Sequence, residues 1–186
     1  MNDQDKAILW AREQLAADPT SIVILDSETT DLGGEIIDLA IIDLTGAPVF
    51  QSLFKPHMPI APDAAAIHGL TAERLTDEPR WIDRWSDIKA AIGAKKVLIY
   101  NAAFDSARLY FTCISHECDP LRLDSECVML WYAQWVGEWN DWRHSYRWQR
   151  LQGGDHSALG DCVATLAALK EMAAAKLQSE LDETPF

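Results

Sequence analysis

The chain has 186 residues, 48% of them hydrophobic, which is the length of one domain with enough apolar surface for a single substantial core. Its formal net charge of −13 argues against a general polyanion binder, whose affinity comes from Lys and Arg displacing counterions, but suits carboxylates gathered around a cation site. No apolar stretch approaches the roughly 20 residues of a membrane span, and Met1-Asn2-Asp3-Gln4-Asp5-Lys6 is too acidic for a secretory leader, so a cytoplasmic protein is expected.

Asp5 to Ala17 has helical spacing (Ile8, Ala11, Leu15) and stops at Asp18-Pro19; residues 1–20 are read as a helix packed on the outside of the domain. Ser21 to Leu25 is short, apolar and β-branched, the pattern of a buried strand whose end delivers Asp26. Ile36 to Asp43 and Pro48 to Phe54 follow as strands joined by a Thr45-Gly46 turn, so the first three strands form an antiparallel meander. After the proline-rich stretch Lys55 to Pro62, two short helices and a longer one near Trp81 to Ile92 are expected. Val97 to Tyr100 is the next strand, Phe104 to Ile114 and Ser125 to Val136 are helices, and Ser157 to Lys176 is a long last helix. That helix is read with Leu159, Val163, Leu166, Leu169 and Met172 on one face. Strands first in a meander, then alternating with helices, predict an α/β domain over 21–178 with a mixed sheet flanked by helices; 179–186 is read as a flexible tail. Cys113, Cys118, Cys127 and Cys162 form no CxxC pair and are read as reduced packing residues.

Five residues carry chemistry. Asp26 and Glu28 are two apart, so if the strand continues both project to one face, where two carboxylates can share a metal ion. Asn101-Ala-Ala-Phe-Asp105 follows a strand at once and places Asp105 in the first turn of a helix. His156 precedes Ser157, the expected N-cap of the last helix, and Asp161 lies in its early turns. Singly, each has a plainer role: solvated charge at a strand end, favourable charge near a helix N-terminus, or a capping partner. Together, four carboxylates and a histidine point to metal-dependent phosphodiester chemistry, which needs oxygen ligands and a base for the attacking water.

The motifs Asp26-Ser27-Glu28-Thr29-Thr30, Asn101-Ala102-Ala103-Phe104-Asp105 and His156-Ser157-Ala158-Leu159-Gly160-Asp161, with Ile67-His68-Gly69-Leu70-Thr71 between the first two, resemble the DEDDh branch of the DnaQ-like 3′-5′ exonucleases. The resemblance spans about residues 21 to 175. It implies a ribonuclease H-like fold with a central mixed five-stranded sheet, and release of nucleoside 5′-monophosphates from 3′ ends. It also implies two Mg²⁺ or Mn²⁺ ions, with Asp26, Glu28 and Asp161 on the first, Asp26 bridging to the second, and Asp105 holding the second directly or through water. Two ions roughly 4 Å apart stabilise attacking and leaving oxygens of an in-line displacement. His156 is implied as the base, a side chain that exchanges protons near neutral pH. The pocket for the terminal nucleotide is implied at Thr29, Thr30 and Leu32, with His68 nearby; Asn101 and Phe104 are further candidate contacts. Asp31 and Tyr100 depart from the family's common glycine and histidine.

Residues 131–148 contain five of the eight tryptophans, interleaved with Arg143, His144 and Arg147. Aromatics with arginines are suited to stacking bases and holding phosphates of a single strand. Trp131, Trp135 and Trp139, at four-residue spacing, are read instead as a buried amphipathic face. For Trp142, Arg143, Tyr146, Arg147 and Trp148, substrate contact, a homodimer or protein contact, and packing all stay open. The leading function is a free-standing exonuclease on single-stranded 3′ ends, DNA ahead of RNA. An oligoribonuclease-like RNA exonuclease, and a non-catalytic or proofreading module that docks a polymerase through the Trp-rich surface, are the alternatives. Completeness of the five residues favours catalysis.

Overall fold

The computed structural model describes residues 1–182. In chain order the elements are α1 (Asp3–Ala16), β1 (Ile22–Thr29), β2 (Ile36–Ile42), β3 (Pro48–Leu53), α2 (Pro62–His68), α3 (Trp81–Ile92), β4 (Lys96–Ile99), α4 (Ala102–Ser115), β5 (Asp124–Cys127), α5 (Val128–Val136), β6 (Trp139–Asn140), β7 (Ser145–Tyr146), α6 (Ala158–Ala174) and α7 (Gln178–Asp182). Five strands form one sheet in the order β3-β2-β1-β4-β5. β1, β2 and β3 pair antiparallel, while β4 and β5 run parallel to β1. This is a mixed α/β sheet of the ribonuclease H-like kind.

Strand alternation splits the core into two layers. Ile22 and Ile24 of β1 pack with Trp10 of α1, Met129 and Tyr132 of α5, and Cys162, Leu166 and Leu169 of α6. Val23 and Leu25 pack on the other face with Trp81, Trp85 and Ile88 of α3 and Leu109 and Cys113 of α4. Both faces of the central strands are therefore covered, which is why β2 is buried at all seven positions. The N-terminal helix is fixed by Trp10, whose ring stacks on Trp131 at 5.0 Å between centroids.

Several elements differ from the sequence reading. β1 continues to Thr29 because β2 pairs with it as far as Thr29–Ile36. The first three residues of the expected helix from Ser125 are strand: Asp124–Cys127 pairs with Lys96–Ile99, and the helix starts only at Val128. One short helix, not two, follows the prolines; residues 72–77 are turns. On α6 the sheet-facing stripe is Ala158, Cys162, Thr165, Leu169 and Met172, small near the site, and Val163 faces solvent at 48% exposure. The expected tail begins as α7: the Leu177 N–H donates to Glu180 Oε2 at 2.8 Å and the Gln178 N–H to Asp5 Oδ1 at 2.9 Å. Residues 183–186 of that expected tail lie outside the described residues. All four cysteines are free thiols. No described helix is long and apolar enough to cross a membrane.

Candidate active site

Strand parity sets the directions of the first motif. Asp26 and Glu28 extend the Ile22–Ile24 face toward α6, while Ser27 points to the opposite face, toward α4. Ser27 Oγ donates to Asp105 Oδ1 at 2.7 Å, fixing a carboxylate that stands in the first turn of α4 and is only 3% exposed. Asp161, in the first turn of α6, accepts on Oδ1 from the backbone N–H groups of Asp155 (3.0 Å) and His156 (3.2 Å). Ligand atoms of Glu28, His156 and Asp161 all lie within 4.8 Å of one another. Asp105, Asp161 and Glu28 in turn act electrostatically on Asp26. The structure thus brings four carboxylates and one histidine from three separate stretches of chain, β1, the start of α4 and the start of α6, toward the C-terminal end of β1.

The loop that presents His156 is tightly built. His156 has φ of 59°, in the left-handed region that non-glycine residues seldom occupy. Its own N–H bond to Asp161 holds it there, and Ser157 Oγ caps α6 by accepting from the Gly160 N–H at 3.1 Å. Asp155 Oδ1 accepts from both Ser157 N–H and Oγ. A Cβ on Gly154 would lie 2.5 Å from Asp161 Oδ1, so glycine is what lets the loop close over that carboxylate.

Burial and like charge dominate the electrostatics. Burial, then the Asp105, Asp161 and Glu28 carboxylates, push Asp26 well above the usual aspartate range. Burial first and then Asp161 raise Glu28 to about 8, and burial raises Asp105 to about 7 against the hydrogen bond from Ser27. No Lys or Arg of the described residues forms an ion pair with any of the four. An all-oxygen donor set that lacks a compensating cation fits a hard divalent ion.

Asp38 is a fifth carboxylate, absent from the motif reading. It pairs across the sheet with Glu28, is 5% exposed, and accepts from the Ala158 N–H on Oδ2 at 3.0 Å. Oδ1 has no hydrogen-bond partner among the described residues, and burial raises its pKa. The signal available was a lone acid inside Ile36-Ile-Asp-Leu-Ala-Ile-Ile42, a run too apolar to carry one without a purpose.

Beside the carboxylates lies a cleft of about 280 Å³ whose lining includes Glu28, Thr29, Leu32, Ile67, His68 and Phe104. Leu32 and Ile67 stand 81% and 58% exposed at its rim. His68 is fixed by the Thr29 carbonyl at 3.2 Å through Nε2 and by the Leu70 N–H on Nδ1. Three expected contacts sit elsewhere. Thr30 is fully buried and its Oγ1 accepts from the Glu35 N–H, a turn-closing role. Asn101 is the exposed residue ahead of α4, and Arg147 follows β7; neither lines the cleft. Asp31 does not need glycine's freedom, since its φ is not positive, and its carboxylate accepts from the Leu32 N–H. Tyr100 donates its hydroxyl to the Gln149 carbonyl at 3.0 Å, tying the end of β4 to the stretch before His156.

A family model described as exonuclease (RNase_T) matches residues 23–169. The chain belongs to this exonuclease family. It is an enzyme of the DnaQ-like 3′-5′ exonuclease class, in the ribonuclease H-like superfamily. Exonuclease CP81 of Escherichia phage 186 is 32% identical over 170 residues, which cover 81% of this chain and 87% of the phage protein. The DNA polymerase III subunit epsilon of Pasteurella multocida is 31% identical over 99 residues, 47% of this chain but 39% of the subunit. Among solved structures, exonuclease X in complex with 5′ overhanging duplex DNA superposes with a TM-score of 0.57 at 26% identity, covering 87% of this exonuclease and 98% of that chain. Divalent metal ions are general to the DEDDh exonucleases, in keeping with the donor set described above.

Proposed function

We propose that this exonuclease removes nucleotides stepwise from the 3′ end of single-stranded nucleic acid, DNA ahead of RNA, and releases nucleoside 5′-monophosphates. The observation that carries the proposal is the convergence of Asp26, Glu28, Asp105, Asp161 and His156, with the ligand atoms of Glu28, His156 and Asp161 within 4.8 Å of one another. Asp26, Glu28 and Asp161 would hold one divalent ion, and Asp105 together with Asp26 a second, Mg²⁺ or Mn²⁺; bound there, such ions would supply charge stabilisation at the scissile phosphate. His156 accepts a proton from water as the water oxygen bonds to phosphorus. The electron pair of the breaking P–O bond leaves with the 3′ oxygen of the penultimate nucleotide, which takes a proton from solvent. The terminal nucleotide lies in the cleft, its base against the apolar surfaces of Leu32, Ile67 and Phe104, with Thr29 and His68 at its polar edge. Preference for DNA is supported by the overhanging-duplex DNA ligand of exonuclease X and by exodeoxyribonuclease 10 of Escherichia coli, 34% identical over 85 residues, which cover 44% of this chain and 37% of that enzyme.

The test is digestion of 5′-labelled single-stranded DNA, duplex with a 3′ overhang, and RNA, side by side with Mg²⁺ or Mn²⁺. A ladder of products shortened one nucleotide at a time, fastest on single-stranded DNA, is expected. Full activity of Asp26→Ala or His156→Ala would remove the assigned roles.

A further inference from the structure

Between α5 and α6 the chain inserts the small β6-β7 hairpin, which the catalytic reading leaves without a task. Residues 142–150 read Trp-Arg-His-Ser-Tyr-Arg-Trp-Gln-Arg, three arginines and no carboxylate in a chain of net charge −13. None of Arg143, Arg147 and Arg150 forms an ion pair among the described residues. The acids that share the segment, Glu138 and Asp141, lie ahead of this run, and Glu138 accepts from Gln149 Nε2 at 3.5 Å. Trp142 is 84% exposed and Trp148 65%, unlike Trp131, which stacks on Trp10, and Trp135, which packs on Tyr132. Exposed indoles beside unpaired guanidinium groups, facing a cleft of about 690 Å³ lined by Trp142, Arg143, Tyr146, Arg147 and Trp148, are surface that the fold does not use.

The hairpin is nonetheless held in place. Tyr146 donates its hydroxyl to Asp3 at 2.9 Å and meets Trp139 edge-on, while Asn140 Oδ1 accepts from the N–H groups of both Trp142 and Arg143. The Arg147 N–H donates to the Glu138 carbonyl at 2.8 Å. Gln149, next to Trp148, takes the Tyr100 hydroxyl, which ties the exit of the hairpin to the end of β4, beside the active site. From Trp148 to His156 the chain can span less than about 29 Å, within reach of one bound strand.

We propose that this hairpin is a second nucleic-acid site. It holds the single strand on the 5′ side of the scissile phosphate, with bases stacked on Trp142 and Trp148 and phosphates on Arg143 and Arg147. Stacking on an aromatic face tolerates any base, and guanidinium groups follow the backbone, so the site is indifferent to sequence. It also reconciles an acidic protein with a polyanionic substrate, because the cationic groups are concentrated where the strand enters. The inference rests on the exonuclease reading of the carboxylate site but adds a contact that the reading does not require.

The test is fluorescence anisotropy of the full chain with a labelled single strand of about 20 nucleotides in EDTA, where the carboxylate site contributes least. Trp142→Ala and Trp148→Ala each weaken binding about tenfold, Trp142→Phe retains most of it, and Arg143→Ala lowers the salt slope of the affinity by about 1. In hydrolysis assays the kcat/KM advantage of the long strand over one of about 3 nucleotides shrinks through KM. Circular dichroism of Trp142→Ala, a side chain in solvent, checks that the fold persists. Unchanged affinity and salt slope overturn the proposal. So does a loss of self-association without loss of strand affinity, which would make the hairpin a protein interface. Wild-type hydrolysis of the short strand reports on the active site separately: its absence removes the exonuclease reading, whereas its presence with indifferent hairpin variants removes only the second site.

Discussion

Asp105→Asn is expected to make the metal-free enzyme more stable and far less active. Asp105 is 3% exposed, and burial raises its pKa from 3.8 to about 7. A carboxyl raised in the folded state binds more protons there than in the unfolded chain, so its ionisation opposes folding progressively from about pH 4 to 7 and fully above that. At about 1.4 kcal/mol per pKa unit the ceiling is roughly 4 kcal/mol. Asparagine is nearly isosteric and its carbonyl can still accept from Ser27 Oγ, so half of that ceiling, about 2 kcal/mol, is a fair expectation. With about 2–4 °C per kcal/mol for a chain of this size, Tm in EDTA rises about 4–8 °C at pH 8 and hardly changes at pH 4. Saturating Mn²⁺ should stabilise the wild type more than the variant, reversing part of the gap. Differential scanning fluorimetry across pH, with and without Mn²⁺, measures all of this. A variant that is less stable by the same amount at pH 5 and pH 8 would refute the reasoning, because the cost of the charge would then be absent.

Three other substitutions probe the supports of the site. Gly154→Ala puts a Cβ 2.5 Å from Asp161 Oδ1, so the carboxylate must move; activity on single-stranded DNA should fall about 100-fold, and a loss below threefold would show that the loop yields freely. Asp38→Ala removes the acceptor for the Ala158 N–H and should cost about 0.5–2 kcal/mol in urea denaturation together with a lower kcat, whereas Asp38→Asn keeps both; equal behaviour of the two would refute a capping role. His116→Ala strips one partner from buried Glu35, whose carboxylate also accepts from the His57 and Met58 N–H groups at 2.6 and 2.5 Å. Burial raises the Glu35 pKa, but those hydrogen bonds outweigh it and leave it lowered, so losing His116 should destabilise by about 1–3 kcal/mol, read as a Tm decrease; an unchanged Tm would contradict it.

What the sequence made legible followed from periodicity and from charge at element ends. The buried strand that carries Asp26, the meander and the N-cap at Ser157 were readable because each rests on local chemistry, although the strand's continuation to Thr29 was not. β5 escaped because Asp124-Ser-Glu-Cys127 lies at a sheet edge, where backbone pairing with β4 needs no apolar side chains. The four-residue tryptophan spacing suggested one helical face, but Gly137 in a left-handed conformation ends α5 before Trp139, which leaves for the hairpin. Val163 looked like core by spacing, yet the helix turns its small residues to the sheet because α6 approaches closely: Cys162 Sγ lies 3.4 Å from the Ala40 carbonyl. Asp38 and Glu35 were hidden for a related reason. Asp38 looks like part of a strand and Glu35 like the charged residue ahead of it, and only tertiary partners, Ala158 for one and His116 for the other, reveal what a buried carboxylate is for.

The placement of the acids explains how a fold can carry so unfavourable a cluster. Asp105 and Asp161 stand in the first turns of α4 and α6, and Asp38 accepts from the first N–H of α6, so three carboxylates meet helix N-termini, where partial positive charge favours them. Each such contact contributes about 0.3–2 kcal/mol, too little to offset the burial that raises Asp26, Glu28 and Asp105. Two packed apolar layers on either side of β1 and β2 supply the burial stabilisation that outweighs the remainder. On the proposed reading, a divalent ion would offset the repulsion among these carboxylates, so a core loosened by Leu109→Ala should lower Mn²⁺ affinity in a titration calorimeter as well as Tm; a lowered Tm with unchanged affinity would refute the link.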